Sequence, residues 1–99
     1  MKAVDYLVRQ RDAARSLSET ENVDVQRQNY EFSARLCDEL LDIINVDAVL
    51  NEAQAEFVGL TVGNVGYNFL PGHDVKYKET PTTCPFLLMQ LAAYINSCK

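Results

Sequence analysis

The sequence contains no lysine or arginine between Arg35 and Lys76, and the whole chain has a net charge of −5. Nucleic-acid backbones and anionic lipids are bound by clustered basic side chains, which neutralise the phosphate charge. No such cluster is present. We therefore expect neither direct nucleic-acid binding nor membrane binding.

A long hydrophobic run is also missing. The most apolar stretch, PFLLMQLAAYI at residues 85–95, is shorter than the roughly 20 residues that a helix needs to cross a bilayer. Residues 1–30 lack the succession of basic, apolar and small residues that marks a secretory leader. These features predict a soluble, cytoplasmic protein.

Cysteine is scarce, with only Cys37, Cys84 and Cys98, and no two of them have the CxxC spacing. Three cysteines, an odd number without motif spacing, favour neither a disulfide framework nor a zinc site. The acidic residues do not form a DxDxDG calcium loop, and no ExxH pair is present. We expect free thiols, with Cys37 buried, and no metal or other cofactor.

The length of 99 residues and the hydrophobic content of 47% predict one domain over residues 1–99 with one core. Internal repeats, low-complexity tracts and proline-rich linkers are absent. The periodicity described below predicts a mainly α fold, a small helical bundle of about four helices. A short β-hairpin or an irregular loop is expected before the last helix.

The first helix is predicted over residues 2–17. Its apolar positions recur at steps of three and four residues or multiples of them, which is the spacing of one helical face: Ala3, Leu7, Ala14 and Leu17. The segment SLSETEN at residues 16–22 then breaks this pattern.

The second helix is predicted to begin at a cap provided by Asn22 or Asp24. One face of this helix carries the expected core residues, namely Tyr30, Ser33, Cys37, Leu40, Leu41 and Ile44. The other face carries Glu31, Arg35, Asp38 and Asp42.

The third helix is predicted from Ala48 to about Gly59, after new capping residues in NVD at positions 45–47. Its expected buried residues are Val49 or Leu50, together with Ala53, Phe57 and Leu60. The alternative is that the second and third helices form one long kinked helix.

Residues 61–80 contain β-branched and aromatic residues punctuated by glycine. Tyr67 and Phe69 alternate before LPGHD, and Val75 and Tyr77 alternate after it. The pair at positions 71–72, proline then glycine, fits the centre of a type II turn. This pattern favours a hairpin, with an irregular loop as the alternative.

The last helix is predicted at about residues 85–97, with Thr83 or Cys84 as its cap and Pro85 in its first turn. It is apolar nearly all round, and a domain of this size has difficulty covering such a helix alone. We therefore predict a homo-oligomer, with an interface that includes some of Leu88, Leu91 and Ile95.

The acidic residues are concentrated in the middle of the chain. Residues 19–56 carry ten acids against Arg27 and Arg35, a net charge of −8. Asp38 and Asp42 repel each other at four-residue spacing, and Asp42 faces the negative end of a helix that ends near Asn45. Stability alone does not favour such a placement.

These acids predict a non-enzymatic interaction protein that docks on a basic surface of a partner protein, as an adaptor or an inhibitor. Small acidic inhibitors from phages and mobile elements offer an analogy. The expected partner-binding residues are Glu31, Asp38, Glu39, Asp42, Glu52 and Glu56.

Two other functions use different residues. The first alternative is a homo-oligomer that binds a small anionic or nucleotide-like ligand through Arg11, Arg15 and Tyr6. The second is a small hydrolase with a pair formed by His73 and Cys84. The motifs of known nucleophiles and phosphate loops, GxSxG, GxGxxG and GxxxxGK[ST], are absent, so His73 is interpreted as a turn residue.

Overall fold

The computed structural model of the chain describes residues 1–64 and 85–98. It confirms a mainly α bundle, and the described residues form four helices: α1 (Ala3–Thr20), α2 (Asp24–Ile43), α3 (Glu52–Asn64) and α4 (Pro85–Ser97). The predicted hairpin, its proline–glycine turn, His73 and Cys84 lie outside the described residues.

Helix α1 ends three residues later than predicted. The Ser18 hydroxyl donates to the Arg15 carbonyl at 2.7 Å, and the Glu21 N–H donates to the Leu17 carbonyl at 3.0 Å. Such bonds let a polar SLSET segment continue a helix. Ala3, Leu7 and Ala14 are buried as expected, whereas Leu17 is 47% exposed, so its predicted burial is wrong.

Helix α2 begins at Asp24 without the predicted side-chain cap. Val23 occupies the N-cap position, and no side-chain hydrogen bond caps the helix. The Asp24 carboxylate instead binds Arg27 one turn later, at 2.5 Å. The Val23 N–H is satisfied by Glu21 Oε1 at 3.0 Å.

Helix α2 is the central helix of the bundle, and its buried face is wider than predicted. Ser33, Cys37, Leu40 and Ile44 are buried as expected, whereas Tyr30 and Leu41 are only half-buried. The buried residues that the pattern missed are Asn29, Phe32, Ala34 and Leu36. A wide apolar sector is typical of a helix that is covered by several neighbours.

Helix α3 starts four residues later than predicted, and it is separate from α2 rather than a continuation of it. The residues before α3 pair with the start of the chain, because Ala3 N–H donates to Ala48 O at 2.9 Å and Leu50 N–H donates to Met1 O at 2.8 Å. Lys2 and Val49 form an isolated antiparallel bridge there. These extended residues are therefore unable to form a helical turn.

The start of α3 is set by a capping box. Gln54 N–H donates to Asn51 Oδ1 at 2.8 Å, and Asn51 N–H donates to Gln54 Oε1 at 2.9 Å. Each side-chain oxygen thus accepts the backbone N–H of the other residue, and the first turn of a helix offers these N–H groups no partner. The segment NVD at 45–47, which was expected to cap this helix, instead forms the preceding turn, in which Asn45 Oδ1 accepts the Asp47 N–H at 3.0 Å.

Helix α3 buries a different face from the predicted one. Leu50 is buried as expected, but the buried residues within the helix are Ala55, Val58 and Val62. Ala53 is exposed, and so are Phe57 and Leu60, at 50% and 60%. Apolar residues occur on more than one side of this helix, so their spacing alone does not select the buried side.

Two buried polar side chains of α2 hold the end of α3. Asn29 Nδ2 donates to the Gly63 carbonyl and the Ser33 hydroxyl donates to the Val62 carbonyl, both at 2.7 Å. The last carbonyls of a helix have no partner within it, so these bonds explain why polar residues occur in the core. Asn29 Oδ1 has no hydrogen-bond partner within the described part of the chain.

Helix α4 has the predicted bounds. Leu91, Ala92 and Ile95 are buried, and Asn45 N–H donates to Asn96 Oδ1 at 2.6 Å, so α4 ends beside the end of α2. The Tyr94 ring lies against Phe57 of α3, with ring centroids 4.8 Å apart. Cys37 and Cys98 are buried free thiols, which confirms the prediction for Cys37.

Candidate functional site

The predicted acidic surface is divided by the structure into paired and unpaired carboxylates. Asp38 belongs to the paired group, since Arg11 Nη1 donates to its Oδ1 at 3.1 Å and Arg15 Nη2 donates to its Oδ2 at 2.5 Å. The hydrogen bond to Asp38 raises the pKa of Arg11. Asp38 therefore links α2 to α1, and its charge is neutralised within the chain.

Glu31 is also paired. Its Oε1 lies 4.0 Å from Nε of Arg27, which binds Asp24 as well. A shallow polar depression of 190 Å³ lies beside these pairs, between α1 and α2. Its lining mixes charges of both signs, from Arg15, Arg35, Glu31 and Asp38. This side of α2 has little uncompensated negative charge.

Glu39 is half-buried rather than fully presented to solvent. Its Oε2 atom is enclosed and accepts no hydrogen bond from the described residues. Burial raises the pKa of Glu39, Asp38 and Asp42 add to the rise, and Arg35 opposes it. Removing a carboxylate from water disfavours its charged form, so Glu39 is a weak contributor to a charged docking surface.

The other predicted docking residues, Asp42, Glu52 and Glu56, lie with Asp47 at the end of the bundle where α2 ends and α3 begins. We call Asp42, Asp47, Glu52 and Glu56 the acidic end. All four are exposed, and no ion pair in the described ranges involves them. Residues 39–64 contain no lysine, arginine or histidine. The fold brings two positive groups from the start of the chain to this end, the amino terminus, which donates to Leu50 O at 2.9 Å, and Lys2, which pairs with Val49.

The carboxylates of the acidic end differ in how their positions affect the stability of the helices. Asp42 lies in the last turn of α2, where the partial negative charge of the helix end disfavours it by about 0.3–1 kcal/mol. Glu52 is the first residue of α3, where the same effect favours a carboxylate. Asp42 is therefore the acid whose placement helix stability explains least.

The predicted anion site is not assembled by the structure. Arg11 and Arg15 face α2 and bind Asp38. Tyr6 precedes Arg15 by nine residues, which places it on the opposite side of α1. There it faces Gly59 of α3, and burial together with Cys37 and Glu56 raises its pKa.

The predicted oligomer residues lie mostly inside the single chain. Leu91 and Ile95 belong to its hydrophobic core, so they are not available to a second copy, and Leu88 is half-buried. Met89 was not predicted, but it is 67% exposed. The apolar pattern correctly indicated a buried helix, but α4 is covered by its own chain on the side of Leu91 and Ile95.

A cleft that the sequence did not indicate lies between α1, α2 and α3. We call it the apolar cleft; its volume is 150 Å³. Helix α1 contributes Gln10, Ala13, Ala14 and Leu17. The other walls come from Tyr30 and Ser33 of α2 and from Val62 and Gly63 of α3. In the sequence, only the small residues at positions 13, 14 and 63 could have indicated this cleft.

Across residues 1–64 and 85–98, no group of three or more histidine, cysteine and acidic side chains is arranged to hold a metal ion. None of the helices in those ranges is both long enough and apolar enough to span a membrane. Comparison of the chain with family models, curated proteins and solved structures finds no match.

Proposed function

We propose that this protein is a non-enzymatic interaction module whose acidic end docks on a basic surface of a partner protein. The observation that carries the proposal is the acidic end itself, four exposed carboxylates without a basic residue in residues 39–64. Complementary charge of this kind speeds association and selects the partner more than it raises affinity. The docking is therefore sensitive to salt.

The contacts of the acidic residues favour a smaller set of docking residues than the set predicted from the sequence. Asp38 and Glu31 already bind arginines of their own chain, and Glu39 is half-buried. A basic partner would have to displace those arginines before it gained from Asp38 or Glu31. Asp42, Glu52 and Glu56 are thus the central docking residues of the predicted set, and Asp47 is added to them.

The proposal includes two modes of action. An inhibitor covers a basic surface with which the partner binds nucleic acid, whereas an adaptor leaves the partner's own activity intact. In either mode the protein acts in the cytoplasm and needs no cofactor. The homo-oligomer predicted from α4 stays a prediction, and a second copy would contact the exposed side of α4 at Met89 rather than Leu91 or Ile95.

The test compares two charge-matched double variants with the unaltered chain. Asp42→Asn with Glu56→Gln removes two charges from the acidic end. Asp5→Asn with Asp12→Asn removes two from the exposed side of α1, and the asparagine introduced by the second change keeps an oxygen acceptor for Arg11. Each immobilised protein is exposed to native lysate, and bound proteins are eluted by a salt gradient and identified by mass spectrometry.

We expect one or more basic proteins to be retained by the unaltered chain and by the α1 variant, and to elute at lower salt from the acidic-end variant. Equal retention by all three proteins would exclude the acidic end as the docking surface. Nucleic-acid binding by the captured protein, measured with and without this chain, then separates the inhibitor from the adaptor.

A further inference from the structure

The apolar cleft is a second surface whose features select an occupant. We infer that it receives one apolar side chain, of leucine or phenylalanine size, from a partner segment in which that side chain is flanked by lysine or arginine. The cleft lies at the beginning of α2, and the acidic end lies at the opposite end of that helix. The inference therefore does not depend on the proposed function.

The size of the cleft favours a side chain over a metabolite. Its 150 Å³ is below the roughly 300–1,000 Å³ of pockets that enclose small-molecule ligands. An apolar cavity of about 150 Å³ is large enough for a benzene ring. A single aromatic or aliphatic side chain thus matches the available space.

The residues that line the cleft can contact both an apolar side chain and the polar backbone of the segment that carries it. Leu17 and Val62 supply apolar contact, and the small side chain of Ala13 leaves room for the occupant. The Ser33 hydroxyl is already bonded to the Val62 and Asn29 carbonyls. The side chains of Gln10 and Tyr30 make no hydrogen bond with another described residue, so they remain able to bind the backbone of an entering segment.

Exposed apolar side chains occur between the last turn of α1 and the first turn of α2. Leu17 lies on the cleft itself, and Val23 and Val25 lie in the connection to α2 and its first turn. All three side chains are exposed to solvent by about half. Leu17 is thus able to add apolar contact beside an anchor in the cleft, and contacts of this kind exclude water from a central pocket.

The charge around this end of the bundle selects the residues that flank the anchor. Glu19 and Glu21 follow Leu17 within four positions and form no ion pair with another described residue, whereas the next acid, Asp24, is paired with Arg27. The Glu21 N–H is bonded to the Leu17 carbonyl at 3.0 Å, which places that acid one turn from the cleft. Lysine or arginine beside the apolar anchor complements these carboxylates, whereas acidic flanks are repelled.

The test uses three synthetic peptides and the full chain labelled with ¹⁵N. The first peptide is Lys-Lys-Phe-Lys-Lys, the second has alanine in place of phenylalanine, and the third has glutamates in place of the lysines. We expect the first to shift the amide signals of Leu17, Val62 and Gly63 and to bind at least about tenfold more tightly than the others. Equal binding of the first and second peptides would overturn the inference.

Two variants that fill the cleft test its position. Ala13→Phe fills it from α1, and Gly63→Leu fills it from α3, where an added Cβ meets no atom within 4 Å. Ala53→Phe is the control, because it places a phenylalanine at an exposed position of α3 that does not line the cleft. Both filled variants should lose at least about tenfold in affinity for the first peptide, and the control should keep it.

Three results would contradict this assignment. Unchanged peptide binding by both filled variants would exclude the cleft, and so would shifts confined to Phe57 and Tyr94. Light scattering that shows a dimer dissociated by Ala13→Phe would make a second copy the occupant. Loss of peptide binding in the filled variants, with lysate capture by the acidic end preserved, would show that the two surfaces are separate.

Discussion

The hydroxyl of Tyr6 in α1 lies directly against Gly59 in α3, where a Cβ on residue 59 would collide with it. The next nearest atom of the ring, Cζ, is 3.4 Å from that Cβ position, an acceptable contact. The hydroxyl alone thus requires glycine at this helical position. Glycine is otherwise disfavoured in a helix, by about 1 kcal/mol relative to alanine.

The contact between Tyr6 and Gly59 predicts that Gly59→Ala destabilises the natural chain but stabilises the Tyr6→Phe variant. Gly59→Ala in the natural chain should lower the free energy of unfolding by about 1–3 kcal/mol, the usual effect of overpacking. In a Tyr6→Phe background the same substitution should raise it by up to about 1 kcal/mol, because the hydroxyl is gone and alanine favours the helix. Urea unfolding followed by circular dichroism measures both values.

The control is Gly63→Ala, where the added Cβ meets open space. It should not destabilise the protein in either background. A loss of stability from Gly59→Ala that is the same with tyrosine and phenylalanine at position 6 would show that the hydroxyl is not the obstacle.

A second prediction concerns Asp38 as the link between two helices. Asp38→Ala removes the carboxylate that joins Arg11 and Arg15 of α1 to α2, so the free energy of unfolding should fall. The loss should shrink at 1 M salt because these groups are partly exposed and therefore screened. Thermal unfolding at low and high salt provides the measurement.

Asp24→Ala is the matched control, since Asp24 pairs with Arg27 of the same helix and joins no two elements. Its effect should be smaller than that of Asp38→Ala. Equal losses of stability in the two variants would show that Asp38 stabilises the fold no more than an ordinary exposed ion pair does, although it joins two helices.

A third prediction follows from the raised pKa of Glu39, whose ordinary value is 4.5. A carboxyl whose pKa is higher in the folded state binds a proton more readily there, so folding is disfavoured above the folded pKa. This cost disappears as the pH falls through the folded pKa toward the unfolded one. Glu39→Gln should therefore stabilise the protein at pH 7 and have a smaller effect at pH 4.

Unfolding in urea at the two pH values tests this sign. Glu56→Gln, which replaces an exposed carboxylate of the next helix, should change the stability little at either pH. A Glu39→Gln variant that is less stable than the natural chain at pH 7 would show that the carboxylate has a stabilising partner.

The sequence predicted the ends and the buried face of a helix correctly where residues within that helix determine them. Pro85 and the apolar run after it predicted both ends of α4, and the spacing of Ala3, Leu7 and Ala14 predicted the buried face of α1. The start of α3 was also readable in principle, because Asn51 and Gln54 have the spacing of a capping box.

The errors arose where packing between distant segments decided the outcome. Residues 48–50 are extended because they pair with residues 1–3, which lie far away in the sequence. The binding of Asp38 by arginines 23 and 27 residues away also depends on such packing, and it brings predicted docking and ligand residues into contact with each other. The burial of Val58 instead of Phe57 also depends on which side of α3 faces α2.

A final prediction separates the two sides of α4. Ile95 is fully buried, so Ile95→Ala should lower the free energy of unfolding by about 2–5 kcal/mol. Met89 is exposed, so Met89→Ala should change it by no more than about 0.5 kcal/mol. If the protein is a homo-oligomer through this helix, Met89→Ala should instead weaken the assembly, and light scattering at micromolar concentration would detect the shift. An assembly that survives both Met89→Ala and Met89→Glu would exclude this side of α4 from the interface, and a monomeric natural chain would refute the predicted homo-oligomer.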